Sequence, residues 1–156
     1  MSGLSWLTIL RKRENFRRAF RDFEPAVVAR FGARDVSRLM GDAGIVRNRA
    51  KIEATINNAR RHAELVKEFG SFARYAWSYE PKPRKRLLDQ AELSQIRASD
   101  EATAMSKDLR RRGWGFVGPT TVYSFMQAMG LVNDHLRGCA AGAEVQRLRL
   151  DFTRPG

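Results

Sequence analysis

The stretch GDAGIVRNRAKIEATINNARRHAELVKEF, Gly41–Phe69, decides how this chain is read. Its first eleven residues hold Gly41, Gly44 and the three cations Arg47, Arg49 and Lys51 around an apolar Ile45-Val46 pair. The sequence then runs into apolar residues at Ile52, Ile56, Ala59, Ala63, Val66 and Phe69. Those steps of three, four or their near multiples put the apolar side chains on one face of a helix, read from Asn48 to Phe69. Asp35–Met40 reads as a helix before the glycines, so the pattern is a helix-hairpin-helix. Glycine lets the turn take positive φ and lets backbone approach closely, and the second helix directs unpaired N–H groups at whatever lies in front of it. A phosphate is the natural occupant of that position. The three cations add charge there, and Ile45 and Val46 can tuck into the junction between the helices. A plain helix corner with solvated cations has the same pattern, so on this stretch alone both readings stand.

Working outward, helical spacing continues in Leu7, Leu10, Phe16 and Phe20, and no segment makes a convincing strand. Pro25 suits the first turn of a short helix, Gly70 follows a helix end, and Ser71 caps a helix through Phe72, Tyr75 and Trp77. Residues 80–97, EPKPRKRLLDQAELSQIR, carry two prolines and weak periodicity, and read as a surface connection between two helical halves. Ser99, Asp100 and Glu101 open a helix through Met105 and Leu109, which Gly113 ends. Pro119–Met129 places Val122, Phe125, Met126 and Met129 on one face, and Gly130 closes it. The expectation is an all-α domain over 1–139, with residues 140–156 as a flexible, poorly packed tail.

With 156 residues, 43% of them hydrophobic, the chain can bury the core of one domain. Its 29 Lys and Arg against 17 Asp and Glu give a net charge of +12, which favours a polyanionic partner, nucleic acid before anionic membrane. No run of about 18 uncharged apolar residues exists to span a bilayer. In MSGLSWLTILRKR the charges follow the apolar segment, the reverse of a secretory signal, and the single Cys139 cannot form an internal disulfide. These features read as a soluble, intracellular protein. The clusters Arg11–Arg13, Lys82–Arg86 and Arg110–Arg112 have solvated faces as their usual explanation; any phosphate contacts they made would position nucleic acid rather than read it.

Three groups could carry chemistry. His135 and Cys139, four apart in NDHLRGC, can reach one metal ion from one face of a helical turn, with zinc the best match; the alternative is a buried thiol beside an ordinary histidine. A closed zinc site needs four ligands, and His62 is the only other histidine. Trp6, Trp77, Trp114 and Tyr123 could stack on a nucleobase or simply form core, and Trp6, after Ser2, Gly3 and Ser5, can stand beside a loop. The carboxylates Glu14, Asp22, Asp42, Glu53 and Asp134 show no acid/base spacing, and no nucleophile elbow, phosphate loop or H-E-x-x-H occurs. From the residues alone this is a basic, helical DNA-binding domain without visible reaction chemistry.

Four longer words, in order, resemble a known family: GLSWLTILRKRENFRRAF, LMGDAGIVRNRAKIEATINNAR, EFGSFARYAWSY and MSKDLRRRGWGFVGPTTVYSFMQAMGLVNDHLRGC. They look like type I DNA-3-methyladenine glycosylases of the helix-hairpin-helix superfamily, from Gly3 to Cys139. The resemblance implies a helix-hairpin-helix DNA glycosylase-like fold and a monofunctional repair enzyme. Such an enzyme flips an alkylated adenine from duplex DNA into an aromatic pocket and hydrolyses its bond to deoxyribose. Trp6 matches the family's pocket tryptophan, whose indole face gains a cation-π term from a methylated base. Gly3 and Leu4 match the loop that enters the base stack, and Tyr123 and Ser124 fall on the pocket-proximal helix. Gly44, Val46, Arg47, Asn48, Arg49 and Lys51 become the DNA-binding hairpin; no catalytic residue is assigned.

His135 and Cys139 match the C-terminal half of the family's structural zinc site. Its other half, with a tyrosine and a glutamate that recognise the base, comes from a segment upstream of GLSW, and Met1 and Ser2 stand here where the family has Gln-Ala. A late start, a fragment or a real loss would each explain this; a real loss would make the chain a non-catalytic DNA-binding remnant. The implied setting is a monomer in the bacterial cytoplasm, at the nucleoid, with no membrane partner.

Overall fold

The computed structural model describes residues 5–84 and 86–155, with Trp6 described through its backbone only. Gly3, Leu4 and the Trp6 side chain therefore lie outside the described residues. Ten α-helices appear among the described residues and no strand: α1 Trp6–Arg11, α2 Arg13–Ala19, α3 Pro25–Val28, α4 Ala33–Gly41, α5 Arg49–Phe69, α6 Phe72–Trp77, α7 Gln90–Ser94, α8 Asp100–Arg111, α9 Pro119–Ala128 and α10 Ala140–Asp151. The chain is all-α, as its periodicity predicts. It divides into two compact units: the chain through Gly70 with the returning segment Arg110–Phe116, and Ser71–Leu109 with the chain from Val117 onward.

In the first unit the apolar stripe of α5 forms the wall of the core. Ile52 and Ile56 are buried against Ala19, Phe20, Val28, Phe31, Val36, Leu39 and Ile45. Phe20 organises this cluster, stacking on Phe23 at 5.2 Å and on Phe31 at 6.4 Å between ring centroids. The predicted stripe from Leu7 to Phe20 holds only at its far end. The helix breaks at Lys12, between α1 and α2, and leaves Leu7 54% and Leu10 55% exposed. Between α2 and α3, Arg21, Asp22 and Phe23 all take positive φ. For residues with a Cβ that is a strained conformation, on the order of 1–2 kcal/mol each.

The second unit buries Tyr75, Ala102, Met105, Leu109, Val122, Met126, Leu131 and Val132. Its caps follow the sequence: Ser71 Oγ accepts the Arg74 N–H at 2.9 Å, and Ser99 Oγ accepts the Ala102 N–H at 3.1 Å. Two expectations change here. Residues 80–97 are more than a connection, because Asp89 and Glu92 close a reciprocal capping box around α7, with N–H to carboxylate distances of 3.0 and 2.9 Å. Residues 140–156 are not a poorly packed tail through α10. Gly142 is buried, Arg149 donates to Glu80 at 2.9 Å and to the Leu131 carbonyl at 2.8 Å, and Phe152 stacks on Trp77 at 4.9 Å. The weak amphipathicity of α10 hides this packing, since its one buried residue is a glycine and Arg149 makes its contacts through hydrogen bonds.

Candidate nucleic-acid interface

The hairpin turn of the first unit depends on side chains more than on glycine's left-handed freedom. Neither Gly41 nor Gly44 takes a positive φ, and Gly41 is the last residue of α4, which corrects the sequence expectation. Asp42 Oδ1 accepts the Gly44 N–H at 2.7 Å, an Asx turn that stands in for backbone curvature. The Gly44 carbonyl accepts from Asn15 Nδ2 and from Lys12 Nζ, both at 3.1 Å, and Lys12 also donates to the Ala43 carbonyl at 2.9 Å. Glycine is needed at 44 for closeness: a Cβ there would stand 2.9 Å from Asp42 Oδ1 and 3.2 Å from Asn15 Nδ2. Ile45 enters the core at 3% exposure, as expected, while Val46 is only partly buried.

Beyond the turn, Asn48 is the N-cap of α5, its Oδ1 accepting the Lys51 N–H at 3.0 Å. The N–H groups of Arg49 and Ala50 head the helix without intrahelical acceptors, in a positive end-field. Arg47, Asn48 and Arg49 are exposed beside them. Arg49 lies 3.4 Å from Glu53, but both side chains are more than half exposed, so the pair holds the arginine weakly. Lys51 Nζ stands 5.9 Å from the centroid of the Phe116 ring, which is 49% exposed on a residue with φ 56. Asn58 clamps the loop before Phe116 through Gly115, accepting its N–H at 2.8 Å and donating to its carbonyl at 2.9 Å.

Many other cations of this unit are committed internally. Arg38 donates to the Ala19 carbonyl, Arg60 to those of Ala29 and Phe31, and Arg112 grips Glu68 at 2.6 and 2.9 Å. The hairpin instead brings exposed cations together with unpaired helix N–H groups, the arrangement a phosphate backbone fits. Sequence reasoning missed Lys12 and Asn15, which sit about thirty residues before the turn. The cluster Arg11–Arg13 pointed to that region but gave no sign of which cation turns inward.

In the second unit, Tyr123 is 3% exposed and its hydroxyl accepts from Arg84 Nη2 at 3.3 Å. Arg84 pairs with Asp134, whose other oxygen accepts from Gln127 Nε2 at 2.7 Å. Burial and the neighbouring Asp134 carboxylate push the Tyr123 hydroxyl up to about 12, against the opposing pull of Arg84. Burial also raises Asp134, but Tyr123, Arg84 and Gln127 together hold its carboxyl below the usual range. Ser124, next on α9, is partly buried.

His135 Nδ1 and Cys139 Sγ lie 3.6 Å apart. They meet across a non-helical loop, not a helical turn, and Cys139 is the N-cap of α10. Asn133 builds the loop, its Oδ1 accepting the His135 N–H at 3.3 Å while its Nδ2 donates to the Gly142 carbonyl at 2.9 Å. Zinc bonds of about 2.3 Å to sulfur and about 2.05 Å to nitrogen at a tetrahedral angle separate the two donors by about 3.6 Å, so this pair fits two corners of a zinc site. Among the described residues no group of three or more His, Cys, Asp or Glu side chains stands ready to hold a metal. None of the described helices is long and apolar enough to cross a membrane.

The model of the methyladenine glycosylase family matches residues 1–142. The chain belongs to that family. It is similar to DNA-3-methyladenine glycosylase 1 of Escherichia coli (strain K12), 47% identical over 139 residues that cover 88% of this chain and 74% of that protein. The DNA-3-methyladenine glycosylase of Haemophilus influenzae is 41% identical over 139 residues, covering 88% of this chain and 75% of its own. The backbone superposes with a TM-score of 0.82 and 44% identity on a crystal structure of a 3-methyladenine DNA glycosylase I variant in complex with 3-methyladenine, over 90% of this chain and 75% of that one.

Proposed function

We infer that this chain is a base-excision repair glycosylase that hydrolyses the bond between 3-methyladenine and deoxyribose in alkylated DNA. The observation that carries this reading is the match to 3-methyladenine glycosylases along nearly the whole chain, at 41–47% identity. Methylation gives the base a positive charge. When the glycosidic bond breaks, the electron pair stays on the base and neutralises it, water adds to the sugar C1′, and a proton leaves to solvent. On this reading water rather than a lysine amine attacks C1′, so the enzyme leaves an abasic site without cutting the strand.

On this reading the protein acts as a monomer on duplex DNA, and its bacterial relatives and +12 charge support a place at the cytoplasmic nucleoid. Gly44, Val46, Arg47, Asn48, Arg49 and Lys51 hold the phosphate backbone. Gly3 and Leu4 enter the stack, and Trp6 receives the extruded base on its indole face. His135 and Cys139 supply two ligands to a zinc ion, which when bound cross-links the chain as a structural clasp; Asn133 and the close approach of Gly142 hold the pair in place.

The assay is release of free 3-methyladenine from methylated DNA, with strand cleavage only after alkali. Duplex binding without base release would overturn the enzymatic reading and leave a DNA-binding relative. Arg47→Ala with Arg49→Ala should weaken binding to random duplex and flatten its salt dependence; unchanged affinity and slope would remove the hairpin from the DNA contact.

A further inference from the structure

Lys12 is a cation of the basic N-terminal cluster whose side chain turns onto the hairpin. It stands at the break between α1 and α2, with φ −100 and ψ 6, and reaches across more than thirty residues to the turn. Two of its three N–H donors are engaged, at 2.9 Å on the Ala43 carbonyl and 3.1 Å on the Gly44 carbonyl. Asn15, three residues on, holds the Gly44 carbonyl with an uncharged donor at the same 3.1 Å. The turn therefore has a neutral staple and a charged one, from the same short helix region.

The charge has a consequence that the staple alone does not. Carbonyls at the tip of a turn are the negative ends of peptide dipoles, and they repel a phosphate brought up to the adjoining helix N-terminus. An ammonium on both carbonyls replaces that repulsion with attraction. The bond to Ala43 is exposed to solvent, so the remaining N–H of Lys12 is reachable from outside. We propose that Lys12 is part of the DNA contact: docked on the Ala43 and Gly44 carbonyls, its ammonium gives its remaining donor and its charge to a backbone phosphate held at the hairpin. The proposal rests on the reading that this hairpin binds duplex DNA.

The test compares three variants of the full chain on an unmodified duplex, measuring affinity across salt concentrations and the thermal midpoint of each protein. Lys12→Met should weaken binding roughly tenfold at low salt, as expected for loss of one charge-assisted contact. It should also reduce the slope of log affinity against log salt by about 0.9, the value for one phosphate. Lys12→Arg, which keeps the charge, should retain the slope. Asn15→Ala should lower the midpoint while leaving the slope unchanged. If Lys12→Met fails to fold, Lys12→Gln, which keeps a donor for one carbonyl without the charge, carries the same comparison. A Lys12→Met or Lys12→Gln slope equal to that of the parent overturns the proposal and makes Lys12 a second staple. Arg47→Ala separates the two readings: a slope that falls for Arg47→Ala but not for the Lys12 variants removes Lys12 alone. A slope that falls for none removes the hairpin as well.

Discussion

Replacing Gly44 by alanine puts the most weight on the way the hairpin is built. The new Cβ would lie 2.9 Å from Asp42 Oδ1 and 3.2 Å from Asn15 Nδ2, well inside van der Waals contact. Both atoms end side chains that can swing away, so the clash itself is relieved, but only by giving up the bonds they make. These are the Asx bond from the Gly44 N–H at 2.7 Å and the Asn15 bond to the Gly44 carbonyl at 3.1 Å. A bond to a charged group contributes about 1.5–3 kcal/mol and a neutral one about 1 kcal/mol, and partial solvent access recovers some of each. The expected loss is about 2 kcal/mol, or about 4–8 °C in thermal midpoint for a chain of this size. Affinity for duplex DNA should fall about tenfold or more, because the turn no longer holds its shape. Gly41→Ala is the control: nothing lies within 4 Å of its Cβ position and it ends a helix, so it should be neutral or slightly stabilising. Thermal denaturation and fluorescence anisotropy with a labelled duplex read both quantities. A Gly44→Ala protein with its midpoint within about 1 °C of the parent and unchanged affinity would refute the close-approach argument.

Asn58→Ala removes both bonds to Gly115, at 2.8 and 2.9 Å, and should cost about 2 kcal/mol in chemical denaturation. Asn57→Ala, which loses an exposed bond to the Gly113 carbonyl at 2.7 Å and a long one to Asn58 Oδ1 at 3.5 Å, should cost less; equal losses would contradict the clamp. Glu80 is held below the ordinary glutamate range, chiefly by Arg154 and, against burial, by Arg149. Because its folded-state value is depressed, its contribution is full above the unfolded value near ~4.3 and is lost as pH falls through the folded one. Glu80→Gln should therefore destabilise by about 1–2 kcal/mol at pH 7, with the difference shrinking as pH falls below the unfolded value and vanishing only below the depressed folded one; a constant difference across pH would rule out the charge as its origin. Cys139→Ser should lower the zinc retained after dialysis, read by elemental analysis, and retention equal to that of the parent would count against the ligand pair.

How far the sequence revealed the fold depends on what kind of contact does the holding. Helices α4, α5, α6, α8 and α9 announce themselves because apolar spacing, caps and terminal glycines all report local physics, and Asn48, Ser71 and Ser99 act where their chemistry places them. The D-x-x-E spacing of Asp89 and Glu92 marks the start of α7 as well, but the prolines before it give the same stretch the pattern of a loop. What periodicity could not show are bonds between residues far apart in the chain. Lys12 to Ala43, Asn58 to Gly115 and Arg149 to Glu80 each join positions more than thirty residues apart, and nothing local in a lysine or an asparagine marks it for that use. The same limit applies to charge. The excess of cations suggests a polyanion, but only the fold separates Arg38, Arg60 and Arg112, which satisfy internal acceptors, from the exposed Arg47 and Arg49.

The reaction is hidden for a different reason. Releasing a neutral adenine requires a proton on the departing base, and hence a positioned acid with a displaced pKa, the kind of group that marks an active site. The groups displaced most in this chain are otherwise engaged. Tyr75 is raised by burial and bonded to Asp108, Tyr123 lies in the Arg84–Asp134 network, and Glu92 is lowered to about 2 by Arg86 and its cap bond. Each belongs to a structural contact. A base that already carries its positive charge needs no such acid: stacking and extrusion bring it to water with its leaving group activated. Selectivity can then come from the substrate's own charge, met by an aromatic face, while the protein's investment goes into holding DNA. A chain working this way should put its structure into a phosphate grip, and the turn that Lys12, Asp42, Gly44 and Asn48 hold is where the proposed reading places that grip.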